Sequence, residues 1–290
     1  MKLSEKKNEP TLHSYRLSAL NIFFKTIPTI IVPIILARIL TPEIFGLVAI
    51  SGVFVGLAQF ITTFETGESI IKNELNQSIL HSIFWFNVTC GLSLYLILFL
   101  TAEIFSFFFN DAVLKTLIKV QAITLVITGL TTVPQALLRK NLDFYSLSIS
   151  SLVAGIFSSI ISISLALLNY GIWSLVSFYL IQQITFLIMI IIRSKYIPKF
   201  IFKLYDIKNI FSFSANLTLT KILSFIERNI TKIIIGKHLG YVQVGLFNLS
   251  NMIAIKPIKT VSQFINPVFY SLASKKKEMI KENLASNYLI

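Results

Sequence analysis

The sequence predicts an all-α polytopic membrane protein: one complete six-helix lobe, followed by the first two helices of a second lobe that repeats it in parallel. Three observations carry this. Hydrophobic residues make up 54% of the 290-residue chain and charged residues 13%, against roughly 25% charged in soluble domains. The apolar residues gather in eight runs, each long enough for the ~20 residues a helix needs to cross a ~30 Å hydrocarbon core. The chain also resembles itself. Shifted by 199 residues, Leu17–Leu47 falls on Asn216–Leu246 with eight of 31 positions identical, including Leu40/Leu239, Gly46/Gly245 and Leu47/Leu246. Runs of this length exclude transmembrane strands, which need ~10 alternating residues.

Taken in order, the first run, Leu17–Leu40, is too long for a signal-peptide core, and no small-x-small cleavage site follows it. It reads as a permanent span. Thr41-Pro42-Glu43 separates it from Ile44–Phe64, and Ile79–Leu100 comes next. The connection Glu103–Thr116 contains Ile104-Phe-Ser-Phe-Phe-Phe109 and reads as an aromatic interface anchor. Leu117–Leu138 and Ile149–Leu168 follow, and Asn169-Tyr-Gly171 turns the chain into Ile172–Ile192. Arg193–Asn209 interleaves Lys195, Lys199, Lys203 and Lys208 with aromatic and aliphatic residues, a pattern suited to the headgroup region. The predicted organisation is therefore an N-terminal lobe over 1–192, a basic amphipathic linker over 193–209 and a partial second lobe over 210–290. That second lobe opens with Ile210–Ile235 and Val242–Ala273. Six spans per lobe is an even number, so both lobes enter the membrane in the same sense, about a pseudo-twofold along its normal. A complete molecule of this plan has at least twelve spans, and this chain supplies eight; the expectation is a fragment or a truncated gene.

The net charge of +13 does not mark a nucleic-acid binder, because its placement follows the membrane. With the N-terminus in the cytoplasm, 16 of the 26 Lys and Arg fall in cytoplasmic segments, three (Arg38, Lys115 and Lys237) outside, and seven within spans. This positive-inside bias puts both termini in the cytoplasm, and anionic inner-leaflet lipid accounts for most of the basicity. Cys90 is the lone cysteine, and His13, His81 and His238 share no ligand spacing, so no disulfide framework, metal site or cofactor is expected. No loop has room for a catalytic domain.

The charges inside the spans carry the functional signal, since each costs ~2.5–3.5 kcal/mol at the bilayer centre on insertion scales. They are Lys25, Lys119, Lys221, Arg228, Lys232, Lys256 and Lys259, with Glu227 as the one clear carboxylate. At ~100° per residue, Lys221, Arg228 and Lys232 form one stripe on span seven. Lys256 and Lys259 share a face of span eight beside Pro257. Snorkelling, in which the stem carries the ammonium to the interface, accounts for Lys119 and serves for Lys232. It does not serve for Lys25, Lys221, Arg228 or Lys256. The candidate anion-binding set is Lys25, Lys221, Arg228, Lys232, Lys256 and Lys259, with Glu227 as a coupling group or ion-pair partner. Fixed cations between lobes call for an anionic cargo, with Arg forking a phosphate and Lys supplying point charge.

Four stretches then carry a family resemblance: Ala37-Arg-Ile-Leu-Thr-Pro-Glu-Ile-Phe-Gly-Leu-Val-Ala49, Glu65-Thr-Gly67, Asn169-Tyr-Gly-Ile-Trp-Ser-Leu-Val176, and Ile235-Gly-Lys-His-Leu-Gly-Tyr-Val-Gln-Val-Gly-Leu246 followed by Asn266-Pro-Val-Phe-Tyr-Ser271. Together they resemble the polysaccharide (O-antigen type) flippase family of the multidrug/oligosaccharidyl-lipid/polysaccharide exporter superfamily. The resemblance implies a bacterial inner-membrane transporter that moves undecaprenyl-diphosphate-linked glycans by alternating access. It implies a functional link to glycosyltransferases and a polysaccharide polymerase. The alternatives are a cation or drug antiporter of the same superfamily, which needs intramembrane carboxylates, and a non-functional truncated remnant. A glycan polymerase or ligase would need a large outer loop with acid–base residues, and the sequence has none.

Overall fold

The computed structural model describes residues 28–73, 75–255 and 258. The chain divides into two compact units, Met1–Leu249 and Ser250–Ile290; the second is described at 250–255 and 258, where it is helical. Every regular element among the described residues is an α-helix. The helices are α1 (residues 28–36), α2 (Pro42–Thr63), α3 (Thr66–Lys72), α4 (Gln77–Phe109), α5 (Ala112–Gln121), α6 (Ile123–Lys140), α7 (Phe144–Leu167), α8 (Ile172–Ser194), α9 (Leu204–His238) and α10 (Tyr241–Ile255).

Five helical stretches are long and apolar enough to cross a membrane: Pro42–Lys72, Gln77–Phe109, Ala112–Lys140, Phe144–Leu167 and Ile172–Ser194. They match the second to sixth predicted runs. The first and eighth runs extend outside the described residues. The seventh lies within α9, a single helix of 35 residues that is not among the five.

Two connections differ from expectation. The Glu103–Thr116 segment is not a loop. The phenylalanine run continues α4 to Phe109, and Asn110 ends it in the left-handed region (φ 55°). Asp111 then accepts from the Val113 N–H at 2.7 Å to start α5, so two turn-forming residues do the work of a long connection. Lys119 lies 4.2 Å from the centre of the Phe99 ring, a cation–π contact across α4 and α5. The second difference is the break between α2 and α3. Phe64 and Glu65 both sit at positive φ, 43° and 48°, a conformation that disfavours any residue with a Cβ. Thr66 and Asn87 hold it: the Thr66 hydroxyl donates to the Thr63 carbonyl at 2.8 Å, and the Asn87 amide donates to Thr66 Oγ1 at 2.9 Å.

Small residues set the helix crossings. The hairpin of α7 and α8 is built on buried Ser151, Ala154, Gly155, Ser158 and Ser162, and the Ser162 hydroxyl donates to the Ser174 carbonyl at 2.7 Å. A stripe of this kind lets two backbones approach closely. The tightest crossing joins α2 to the start of α10. A Cβ built on Gly46 would land on the Tyr241 carbonyl oxygen, and one on Gly245 would land on the Pro42 carbonyl oxygen. The 199-residue shift converts Pro42 into Tyr241 and Gly46 into Gly245. The contact is thus reciprocal under the internal repeat.

Residues 195–203 join α8 to α9 as a non-helical strap across the first turns of α4; the first two residues of the predicted linker end α8, and residues 204–209 belong to α9. Trp85 Nε1 donates to the Lys199 carbonyl at 2.9 Å, the Lys203 N–H donates to Ser82 Oγ at 3.0 Å, and the Trp85 and Phe200 rings stack at 4.3 Å. His81 Nδ1 receives the Lys199 N–H at 3.4 Å and the Tyr196 hydroxyl at 2.9 Å. Burial pushes the Tyr196 hydroxyl up to about 12, so it stays protonated as that donor. Beyond the strap, α9 packs on α2, α3 and α4. Its anchors are Ser69–Ser214 at 2.8 Å and the Phe60–Phe225 ring pair at 5.4 Å.

A polar chamber among the membrane helices

Between α2, α3, α6, α7, α8 and α9 lies a cavity of about 410 Å³. Many polar side chains line it although the helices that form it are apolar. From α2 and α3 come Gln59, Thr63, Glu65 and Glu68; α6 adds Thr128, Thr131, Thr132, Gln135 and Arg139; α8 adds Gln182, Gln183 and Phe186; and α9 adds Lys221. Pro134 in α6 has no N–H, which frees a backbone carbonyl one turn earlier, beside the threonines of this wall.

The break at Phe64 and Glu65 positions the first charged pair. It turns the Glu65 side chain, 12% exposed, onto Lys221, 40% exposed, at 2.6 Å. Glu68 and Arg139 form a looser pair at 3.8 Å. Sequence reasoning missed both carboxylates, because the second apolar run was ended at Phe64. The signal lies in Glu65-Thr-Gly67, a stretch of the family resemblance that falls just beyond the predicted span and so outside the intramembrane charges.

Of the sequence-predicted site residues, Lys221 lines the chamber. Arg228 is exposed on α9 and donates through Nε to the Ser224 carbonyl at 2.8 Å, one turn back in the same helix. Lys232 is half-buried and Glu227 exposed; neither lines the chamber, and Glu227 forms no ion pair among the described residues. Lys25, Lys256 and Lys259 lie outside the described residues. No group of three His, Cys, Asp or Glu converges among the described residues.

Membrane-crossing helices around a polar chamber define a polytopic helical membrane protein with a hydrophilic interior. The chain belongs to the polysaccharide biosynthesis protein family, whose model matches residues 35–289. It is 27% identical over 251 residues to the succinoglycan biosynthesis transport protein ExoT of Rhizobium meliloti, covering 85% of this chain and 49% of that protein. It is 25% identical over 227 residues to the teichuronic acid biosynthesis protein TuaB of Bacillus subtilis, covering 76% and 46%. It is 26% identical over 251 residues to the lipopolysaccharide biosynthesis protein WzxC of Escherichia coli, covering 83% and 50%. The chain spans about half the length of these curated relatives. No solved structure matches it significantly.

Proposed function

We propose that the protein is part of a translocator that carries lipid-linked oligosaccharide or polysaccharide units, borne on undecaprenyl diphosphate, across a bacterial inner membrane by alternating access. The observation that carries this reading is the polar chamber walled by apolar membrane helices. A hydrophilic cargo on a lipid tail needs such a path, because polar groups in hydrocarbon are costly. Three relatives bear the names of polysaccharide biosynthesis or transport proteins. Glycosyltransferases and a polysaccharide polymerase would then make and consume the cargo.

In the proposed topology both termini are cytoplasmic, so the Pro42 end of α2 faces outward and the chamber lies in the inner halves of the helices. The reciprocal Gly46–Gly245 crossing supports two parallel lobes related by a pseudo-twofold. It also closes the outer end while the chamber lies toward the cytoplasm, as an inward-facing state requires.

The antiporter reading gains one observation, since Glu65 and Glu68 supply wall carboxylates that the sequence had not placed. Each is paired with a cation of the wall, so neither is a free acid for a cationic cargo. The test is export of a lipid-linked glycan at matched expression. Arg228→Gln, which removes a cation outside the chamber wall, is expected to reduce export at least about tenfold, the order of losing one charge-assisted contact. Undiminished export would exclude a role for Arg228 in holding the cargo.

A further inference from the structure

The chamber's charge balance points away from the diphosphate and toward the sugars. This inference rests on the translocation reading and assigns one part of the cargo to one part of the site. The charged groups in the wall are two cations, Lys221 and Arg139, and two carboxylates, Glu65 and Glu68, already facing one another. Their sum is zero. A diphosphate entering this wall would have to compete with resident carboxylates for each cation.

The uncharged wall has a different character. Gln135, Gln182 and Gln183 line the chamber from two helices, and none of their side-chain amides forms a hydrogen bond with another described residue. Each carries two N–H donors and a carbonyl acceptor. On α6, the helix that also carries Gln135, Thr128, Thr131 and Thr132 donate their hydroxyl protons to the carbonyls of Thr124, Ile127 and Thr128 at 2.7, 2.7 and 2.8 Å. They therefore face the chamber as acceptors. Open amides beside open acceptors match a ligand whose groups both donate and accept. Sugar hydroxyls do so, whereas a fully ionised phosphate only accepts. Phe186 in the same wall adds an apolar ring face suited to the C–H side of a pyranose. A volume near 410 Å³ falls in the range of small-ligand sites, roughly 300–1,000 Å³.

We infer that this chamber is a glycan subsite, in which Gln135, Gln182 and Gln183 hydrogen-bond uncharged sugar units of the cargo while the anionic group is held by cations outside the wall.

Two probes separate this from the translocation reading itself. Detergent-purified, fluorescently labelled protein is applied to an array of immobilised bacterial surface glycans free of lipid and diphosphate. Binding of geranyl diphosphate is measured in parallel by calorimetry. The wild type is expected to retain a subset of the glycans. Gln182→Leu with Gln183→Leu should weaken that retention about tenfold or more and leave geranyl diphosphate binding within about twofold, since each sugar hydroxyl that loses its hydrogen-bond partner costs on the order of 1–3 kcal/mol. Should the double variant lose both activities through misfolding, Gln135→Glu provides the second arm: it keeps the size and removes the donors, and the same selective loss is expected. Failure of the wild type to retain any glycan, or retention unchanged by these substitutions, overturns the glycan subsite. If geranyl diphosphate still binds, the translocation reading stands without it; if neither probe binds, that reading falls too.

Discussion

Leucine at Gly245 is expected to prevent the bundle from closing and to lower the yield of monodisperse protein severely. The side chain would begin on the Pro42 carbonyl oxygen, and a backbone atom at a helix start cannot swing aside as a side-chain end can. Overpacking in a helix interface costs about 1–3 kcal/mol where side chains yield, and a backbone obstacle puts this site at the top of that range or beyond it. Gly46→Leu should behave alike, because its Cβ meets the Tyr241 carbonyl in the mirror contact. Gly236→Ala is the control. Its Cβ meets chiefly the Ile50 Cδ1 methyl, a flexible end, so the effect should be mild. Fluorescence-detected size exclusion of tagged variants, with thermal melting of the surviving fraction, separates the three. Wild-type behaviour of Gly245→Leu would mean that the α2–α10 crossing is not backbone to backbone.

Exchanging the charges of Glu65 and Lys221 should reveal how much the chamber depends on that pair. Glu65 is nearly enclosed, so Lys221→Gln strands a desolvated carboxylate. Breaking a fully buried pair costs about 3–5 kcal/mol. Lys221 is 40% exposed, and solvent screening reduces the expected loss to about 2 kcal/mol. Glu65→Gln, which leaves the half-exposed lysine, should cost less. The double exchange Glu65→Lys with Lys221→Glu should recover part of the loss, and Glu65→Gln combined with Lys221→Gln closes a double-mutant cycle with the wild type and the two single variants, read by thermal melts. Additive single effects, with no recovery in the exchange, would show that the 2.6 Å contact contributes nothing to stability.

The five membrane-crossing stretches were legible because a run of about 20 apolar residues has few other fates. The break at Phe64 and Glu65 was not, since neither residue is a glycine or proline and both adopt the left-handed region through contacts made by Asn87, far along the chain. Glu65 was hidden for the same reason: without the break it reads as the end of a span. Charge drew attention to Lys221, and it does line the chamber. Arg228, on the same predicted stripe, is exposed, because the stripe is about 40° wide and α9 packs along only part of it. The glutamines were invisible to a search for intramembrane charge. Gln135 and Gln182 sit in different apolar runs 47 residues apart, and only the packing of α6 against α8 puts them on one wall.

The central claim is translocation of a lipid-linked glycan, and it is tested most directly in proteoliposomes. Fluorescent undecaprenyl-diphosphate-linked oligosaccharide is incorporated in both leaflets with the purified protein, and a membrane-impermeant quencher is added outside. The account predicts that protein-containing vesicles lose the protected inner-leaflet signal with time, and that Arg228→Gln slows this loss. A protected fraction as long-lived as in protein-free vesicles would contradict it.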